Sequence, residues 1–271
     1  MSAPAALLAG VLPVRALLSP FGIGISRRIS FARCSSKVKG DEISVQVTGK
    51  VAAGTPLLIL ADTAVLTCQA VLDADVDGLA PPPAEMLGML QGDTVRLDDV
   101  YLAYYLSLRY FSKPNDWYAT QVDLCSTAHS GASGVGAASA LWERAAREYV
   151  SAPQPLFLAA LRYVRASSFF KPFATAVHPC APSQQPARAI APVLDLLVRS
   201  EDKANVSLMA CTAKDVAQKY LSADLRGARQ ALLSKDDACE YWAVLASDDL
   251  PVGSTVSLSP QSPLTSGHTH Q

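Results

Sequence analysis

Apolar residues alternate with polar ones near both ends of this chain and recur at helical spacing in between. Ile43-Ser-Val-Gln-Val47, Val206-Ser-Leu-Met-Ala-Cys211 and Thr255-Val-Ser-Leu258 have the period-two pattern of half-buried strands. Pro56-Leu-Leu-Ile-Leu60 and Tyr241-Trp-Ala-Val-Leu245 are short, nearly continuous apolar runs bounded by turn residues, as expected of buried strands. The middle follows a different rule. Asp98 to Phe111, Leu141 to Tyr149 and Pro155 to Phe170 carry apolar residues three and four apart, and in the last of these Leu156, Ala159, Ala160, Tyr163 and Val164 make one stripe. Strands at both ends around a helical centre predict an α+β fold, with β portions from the two termini meeting across a helical insertion.

The intervening stretches read as connections or remain open. Val65 to Leu72 suits either a strand or a short helix. Asp73 to Pro83, stiffened by Pro81-Pro-Pro83, reads as a loop, as does the Gly/Ala/Ser-rich run from Ser130 to Ser139. Pro114-Asn-Asp116 reads as a turn, with Trp117 and Tyr118 just beyond it. Lys171 to Ala189, interrupted by prolines, reads as irregular. Thr212 to Tyr220 suits a short helix, and the tail from Ser259 is polar and reads as disordered. There is no internal repeat.

Charge is distributed unevenly. The 271 residues have a formal charge of -1, yet residues 1–40 hold Arg15, Arg27, Arg28, Arg33, Lys37 and Lys39 and no acid, leaving 17 basic against 24 acidic groups in the rest. An acidic body disfavours a broad nucleic-acid footprint, and DNA is not expected as a partner. The leader is rich in Ala, Leu, Ser and Arg, which is the composition of a mitochondrial transit peptide over residues 1–28 and places the protein in the matrix. A secretory signal centred on Ala5 to Leu12 is the rival reading, but it lacks a charged leader and a clean small-residue cleavage site. Pro13, Arg15, Ser19 and Pro20 break the longest apolar stretch, so no membrane span is expected. The six cysteines are scattered without Cys-x-x-Cys and read as reduced, mostly buried thiols. His178-Pro-Cys180 is too isolated to predict zinc, and His268 and His270 lie in the polar tail. Phosphate loops, Gly-x-Ser-x-Gly, His-Glu-x-x-His and dinucleotide fingerprints are all missing from the sequence.

One stretch has a more specific likeness. Ala191-Pro-Val-Leu-Asp-Leu-Leu-Val-Arg-Ser200, followed by Asn205-Val206, resembles the core motif of SET-domain lysine methyltransferases of the Rubisco large-subunit type, Pro-x-x-Asp-x-x-Asn-His-Ser and then Asn-Val. Pro192, Asp195, Ser200 and Asn205 match, while Val198 and Arg199 stand where the family has Asn-His. Three further stretches resemble the family in order. Val45, Val47, Val51, Gly54 and Leu57-Leu-Ile-Leu60 follow the first motif, with its two leading glycines falling at Glu42 and Ser44. Tyr101 to Leu108, Asp116-Trp117-Tyr118 and Phe157 to Phe169 follow the inserted helices. Leu250 to Pro260 follows the closing motif, with Pro260 at the position of its tyrosine.

The resemblance implies a β-rich SET-like core spanning 40–260, with a helical insertion at about 75–190 and a polar tail at 261–271. In the family the glycines let the backbone approach S-adenosylmethionine, the Asn-His pair hydrogen-bonds it, and the tyrosine orients the amine. Here Glu42 and Ser44 add side chains, Val198 cannot hydrogen-bond, Arg199 sets a cation near a sulfonium, and Pro260 has neither hydroxyl nor amide donor. The resemblance therefore implies a non-catalytic protein with no catalytic, cofactor-binding or metal residues, and no cofactor. Its role would be a structural or assembly component of a large mitochondrial complex, foremost the mitochondrial ribosome, with proteins and ribosomal RNA as partners. The alternative is a lysine methyltransferase with diverged contacts to S-adenosylmethionine. Asp195 and Ser200 are expected to cap turns. Trp117, Trp142 and Trp242 are expected in the core or an interface, and the charges of Leu141 to Tyr149 on a solvated helix face.

Overall fold

The computed structural model describes residues 23–36, 40–73, 84–90, 97–113, 116–127, 140–150, 152–177, 182–199, 202–220, 225, 240–259 and 265–266. The N-terminal part supplies β1 (Ile23–Ile25), β2 (Ile29–Ser36), β3 (Gly40–Val47) and β4 (Pro56–Ala61). The middle runs β5 (Leu66–Thr67), α1 (Cys68–Asp73), α2 (Ala84–Leu90), α3 (Leu97–Ser112), α4 (Trp117–Thr127), α5 (Ala140–Tyr149), α6 (Gln154–Ser167), β6 (Phe169–Val177) and β7 (Pro182–Ile190). The C-terminal part adds β8 (Val198–Arg199), β9 (Val206–Cys211), α7 (Ala213–Asp215, continued by a π turn to Tyr220), β10 (Tyr241–Ala246), β11 (Ser257–Leu258) and β12 (Thr265–Ser266). The fold is α+β, with the strand-rich ends and helical middle that the periodicity predicts.

Two compact units divide the chain: residues 1–13, 35–41 and 66–190 form one, and 14–34, 42–65 and 191–271 the other. The second unit is built on a seven-stranded sheet in the order β1-β4-β10-β9-β11-β8, with β12 also paired to β9. Its centre is β4 against β10, antiparallel, with Trp242 opposite Leu60 and Ala243 opposite Ile59. All six residues of each strand are buried, which is why both read as continuous apolar runs. Pro56 opens β4, where its missing N–H is tolerated. On this sheet Ile59, Ala61, Cys211, Val216, Leu225, Tyr241, Ala243 and Leu245 form one core cluster, with Met209, Ala213 and Tyr220 packed against it. Thr212 starts α7 with a capping box: its hydroxyl accepts from the Asp215 amide and the Asp215 carboxylate accepts from the Thr212 amide.

The other unit packs α3 against α6 and α4, and α6 also against α5. Trp117, Tyr163 and Phe157 are its largest fully buried side chains. A three-stranded sheet, β5-β7-β6, completes it. Several expectations are corrected here. Lys171 to Ala189 is not irregular: β6 and β7 pair antiparallel, with register shifts after Lys171 and after Thr175 that accommodate the prolines. The helix expected to reach Phe170 stops at Ser167, because Ser168 is already extended and Phe169 opens β6. Val65 to Leu72 is both strand and helix, β5 followed by α1. The unit opens at Leu66, ahead of residue 75, since β5 pairs with β7.

Helix α4 has no stripe in the sequence because Trp117 to Val122 are all buried, Thr120 and Gln121 included. Thr265–Ser266 of the polar tail is a strand, parallel to β9 at Met209 and Ala210. The loops at 74–83 and 130–139, the rest of the tail, and the leader up to residue 22 lie outside the described residues. So do Pro114 and Asn115 of the predicted turn; Asp116 itself caps α4, where its Oδ1 accepts from the Ala119 amide at 2.8 Å. No described helix is long and apolar enough to cross a membrane.

Candidate functional site

In the second unit the motif from Ala191 onward folds as a tight turn and a short strand. Val193 has φ 73°, the one non-glycine residue with positive φ among those described, and it is fully buried. A β-branched residue in that region is strained by about 1–3 kcal/mol, and such strain persists only where packing over-determines it. Leu194 to Leu196 then form a 3-10 turn, with the Asp195 amide donating to Ala191 O at 3.1 Å and the Leu196 amide to Val193 O at 3.0 Å. Pro192 and Asp195 are both buried in this turn.

Strand β8 follows and pairs in parallel with β11, Val198 opposite Ser257 and Arg199 opposite Leu258. The core motif and the closing motif, far apart in sequence, thus lie side by side. Asn205 fastens them. Its Nδ2 donates to Thr255 O at 2.8 Å, its Oδ1 accepts from the Ser257 amide at 2.9 Å, its own amide donates to Ser257 O at 3.0 Å, and its carbonyl accepts from the Ser247 amide at 2.9 Å. Ser257 Oγ also donates to Lys203 O. Asn205 is therefore a structural clamp holding β11. Ser200 and Pro260 lie outside the described residues.

The stretches likened to the first motif do not pair with each other among the described residues. Strand β3, which carries Glu42 and Ser44, pairs with β2 in a separate two-stranded sheet. The strand beside Leu57-Leu-Ile-Leu60 is β1, with Ile23 opposite Leu60, Gly24 opposite Ile59 and Ile25 opposite Leu58. The sequence there is Gly22-Ile-Gly24-Ile25, a Gly-x-Gly-apolar run next to the apolar strand. Gly24 lies in that strand opposite Ile59, and Gly22 lies outside the described residues. Gly24 is buried, where a strand without side-chain bulk allows close approach.

The closing motif is tied back to the hairpin as well. The Val47 amide donates to Ser254 O, the Gly253 amide to Val47 O and the Val256 amide to Val45 O, each at 2.8 Å. Gly253 has φ 89°, so this turn favours glycine. Trp242 is buried and donates from Nε1 to Asp62 Oδ1 at 2.7 Å.

The helical unit holds a cluster of charges. Asp98 and Asp99, both buried, start α3. Asp98 Oδ2 accepts from the Arg188 amide at 3.0 Å, Asp99 lies 3.3 Å from Arg188 Nη1 and 3.9 Å from Arg165 Nε, and Arg188 Nη1 donates to Ser168 Oγ at 3.0 Å. Arg109 bonds Asp116 at 2.5 Å and Tyr105 Oη at 2.6 Å, over the rings of Tyr105 and Tyr118. These partners join α3 to its neighbours, a structural use of charge. On α5, Arg144 pairs with Glu148 at 2.8 Å on an exposed face, while Ala145 and Ala146 are buried. Trp117 is fully buried; the side chain of Trp142 is outside the described set.

Thiol chemistry has little support. Burial pushes the Cys68 thiol up to about 12, with Asp98 adding to it, and burial with Asp215 does the same to Cys211. Among the described residues no three His, Cys, Asp or Glu side chains are grouped as a metal site.

No protein-family model matches this chain, and no curated protein matches it in sequence. Among solved structures it is similar to the crystal structure of the SET domain of LSMT bound to lysine and AdoHcy, with a TM-score of 0.41 and 9% identity over 92% of this chain. The match spans 53% of that chain, so this polypeptide corresponds to about half its length.

Proposed function

We propose that this chain is a SET-type protein that has lost methyl transfer and acts as a structural or assembly component of a large mitochondrial complex. One observation carries the reading. The frame of the core motif is kept, with Pro192 and Asp195 buried in the turn and Asn205 clamping the closing strand, while the two positions expected to grip the methyl donor are Val198 and Arg199. A valine offers no hydrogen bond there, and a guanidinium repels a sulfonium. Residues kept for architecture outlast residues kept for chemistry when the chemistry is gone. The donor set present thus does not fit S-adenosylmethionine at those positions.

On this reading the Gly22-Ile-Gly24-Ile25 run, whose strand lies beside β4, is a second candidate for the leading glycines, which would narrow the loss. The basic, acid-free leader supports import into the matrix. The mitochondrial ribosome, with its proteins and ribosomal RNA, is the assembly proposed, on the analogy that folds outlive their first function.

Calorimetric titration with S-adenosylmethionine tests the loss of catalysis: no binding is expected up to millimolar ligand, and a micromolar Kd would overturn it. Sedimentation of a mitochondrial lysate tests the assembly role, which fails if the protein migrates only as a free species near 28.6 kDa.

A lysine methyltransferase with diverged contacts is the second reading. Gly24 beside Ile59 and the strained backbone at Val193 favour it, since strain of this kind gathers at functional sites. Micromolar binding of S-adenosylmethionine together with methyl transfer to a lysine peptide would establish it.

A further inference from the structure

We infer that Ile23 to Arg28 belong to the folded body, so that any leader removed on import ends before Ile23 and not at residue 28. The inference goes beyond the proposed function; only its processing arm rests on the mitochondrial reading. Strand β1 is the neighbour of β4 on the side away from β10. It pairs over Ile23, Gly24 and Ile25, and the Ser26 amide extends the ladder by donating to Leu57 O at 2.9 Å. Ser26 is 1% exposed.

The backbone of the basic pair is also engaged, and so is the Arg28 side chain. The Arg28 guanidinium donates to Lys50 O at 2.7 Å, the Thr48 amide donates to Arg28 O at 2.7 Å, and the Arg28 amide donates to Ser26 Oγ at 3.1 Å. Thr48 Oγ1 reaches Arg27 O at 3.4 Å. A cut after residue 28 would remove all of β1. It would leave β4, with Leu57 to Leu60 at 0% exposure, as an apolar edge strand with unpaired backbone groups. Natural sheets avoid such an edge because it templates aggregation. A cut ahead of Ile23 leaves the ladder intact.

Two measurements test this. In the full-length chain, Ser26→Pro removes the ladder donor to Leu57 O, and Arg28→Ala removes the bond to Lys50 O without a backbone change. Each is expected to lower Tm, Ser26→Pro by several degrees or more and Arg28→Ala by about 2 °C. A Tm unchanged in both would overturn the inference, because a disposable leader is indifferent to either change. Separately, the full-length chain is imported into isolated mitochondria and the N-terminus of the product is read by mass spectrometry. A start at or before Ile23 supports the inference and a start at residue 24 or beyond overturns it. Failure to import at all would count against the mitochondrial reading, and the melting arm would then decide alone.

Discussion

Replacing Asn205 is the most direct way to ask whether the stretch from Pro192 to Asn205 is architecture. In Asn205→Ala the Ser257 amide loses its acceptor and the Thr255 carbonyl loses its donor, while both backbone bonds of residue 205 remain. Ser257 is 5% exposed, so its orphaned N–H costs about 1–3 kcal/mol. Thr255 is exposed, and water can replace the lost donor at about 0.5 kcal/mol or less. The sum is about 2 kcal/mol, which in a chain of this size lowers Tm by about 5 °C. Asn205→Asp separates the two halves of the clamp. It keeps the acceptor for Ser257 but sets a carboxylate against the Thr255 carbonyl at a distance near 2.8 Å.

Below about pH 4 the new carboxyl is protonated and can donate again, so this variant should regain stability as pH falls through the carboxylate range. Urea denaturation followed by circular dichroism, run from pH 3.5 to 8, reads both effects. An Asn205→Ala midpoint within error of the parent, or an Asn205→Asp deficit that does not shrink in acid, would refute the clamp.

Other consequences follow from the same packing. Ile59→Ala, at 0% exposure in the central strand pair, should destabilise by about 2–5 kcal/mol in chemical denaturation. Trp242→Phe keeps the ring but loses the bond to Asp62, for a loss of about 1.5–3 kcal/mol by the same assay. The Lys219 ammonium, then the Thr212 hydroxyl and amide, hold the Asp215 carboxyl down to about 2. A depressed carboxyl contributes stability above its ordinary range and loses it as pH falls toward 2, so an NMR titration of Asp215 should show a midpoint well below the usual carboxylate value, and one near 4 would contradict the bonds drawn here. Cys68 and Cys211 should resist iodoacetamide at pH 8 in the native protein and react once it is denatured, as read by mass spectrometry of the alkylated peptides.

The elements legible in the sequence were those whose burial leaves a pattern. Strands β4 and β10 read as apolar runs because both faces are covered, and α6 read as a helix because of its stripe of Leu156, Ala159, Ala160, Tyr163 and Val164, of which all but the half-buried Leu156 are buried. Helix α4 did not, because burial all round erases the stripe. The β6–β7 hairpin was hidden by prolines that local register shifts absorb, something no local pattern reveals. At the candidate site the stretch from Pro192 to Asn205 was recognisable as a motif, but the neighbour of β4 was not. Which strand lies beside β4 is a tertiary fact, and that strand, β1, comes from a stretch whose arginines and serines suggested another purpose.

The pairing of β4 with β10 also sets a timetable for synthesis. Asp62 and Trp242, bonded at the end of that pair, are 180 residues apart. At roughly 5–20 residues per second, the first strand waits on the order of ten to forty seconds for its partner to be made. During that interval Leu57 to Leu60 can pair only with β1, and the edge that β10 will cover stays open. Residues 66–190 are complete before Tyr241 is added, so that stretch is available to fold while β4 still lacks β10.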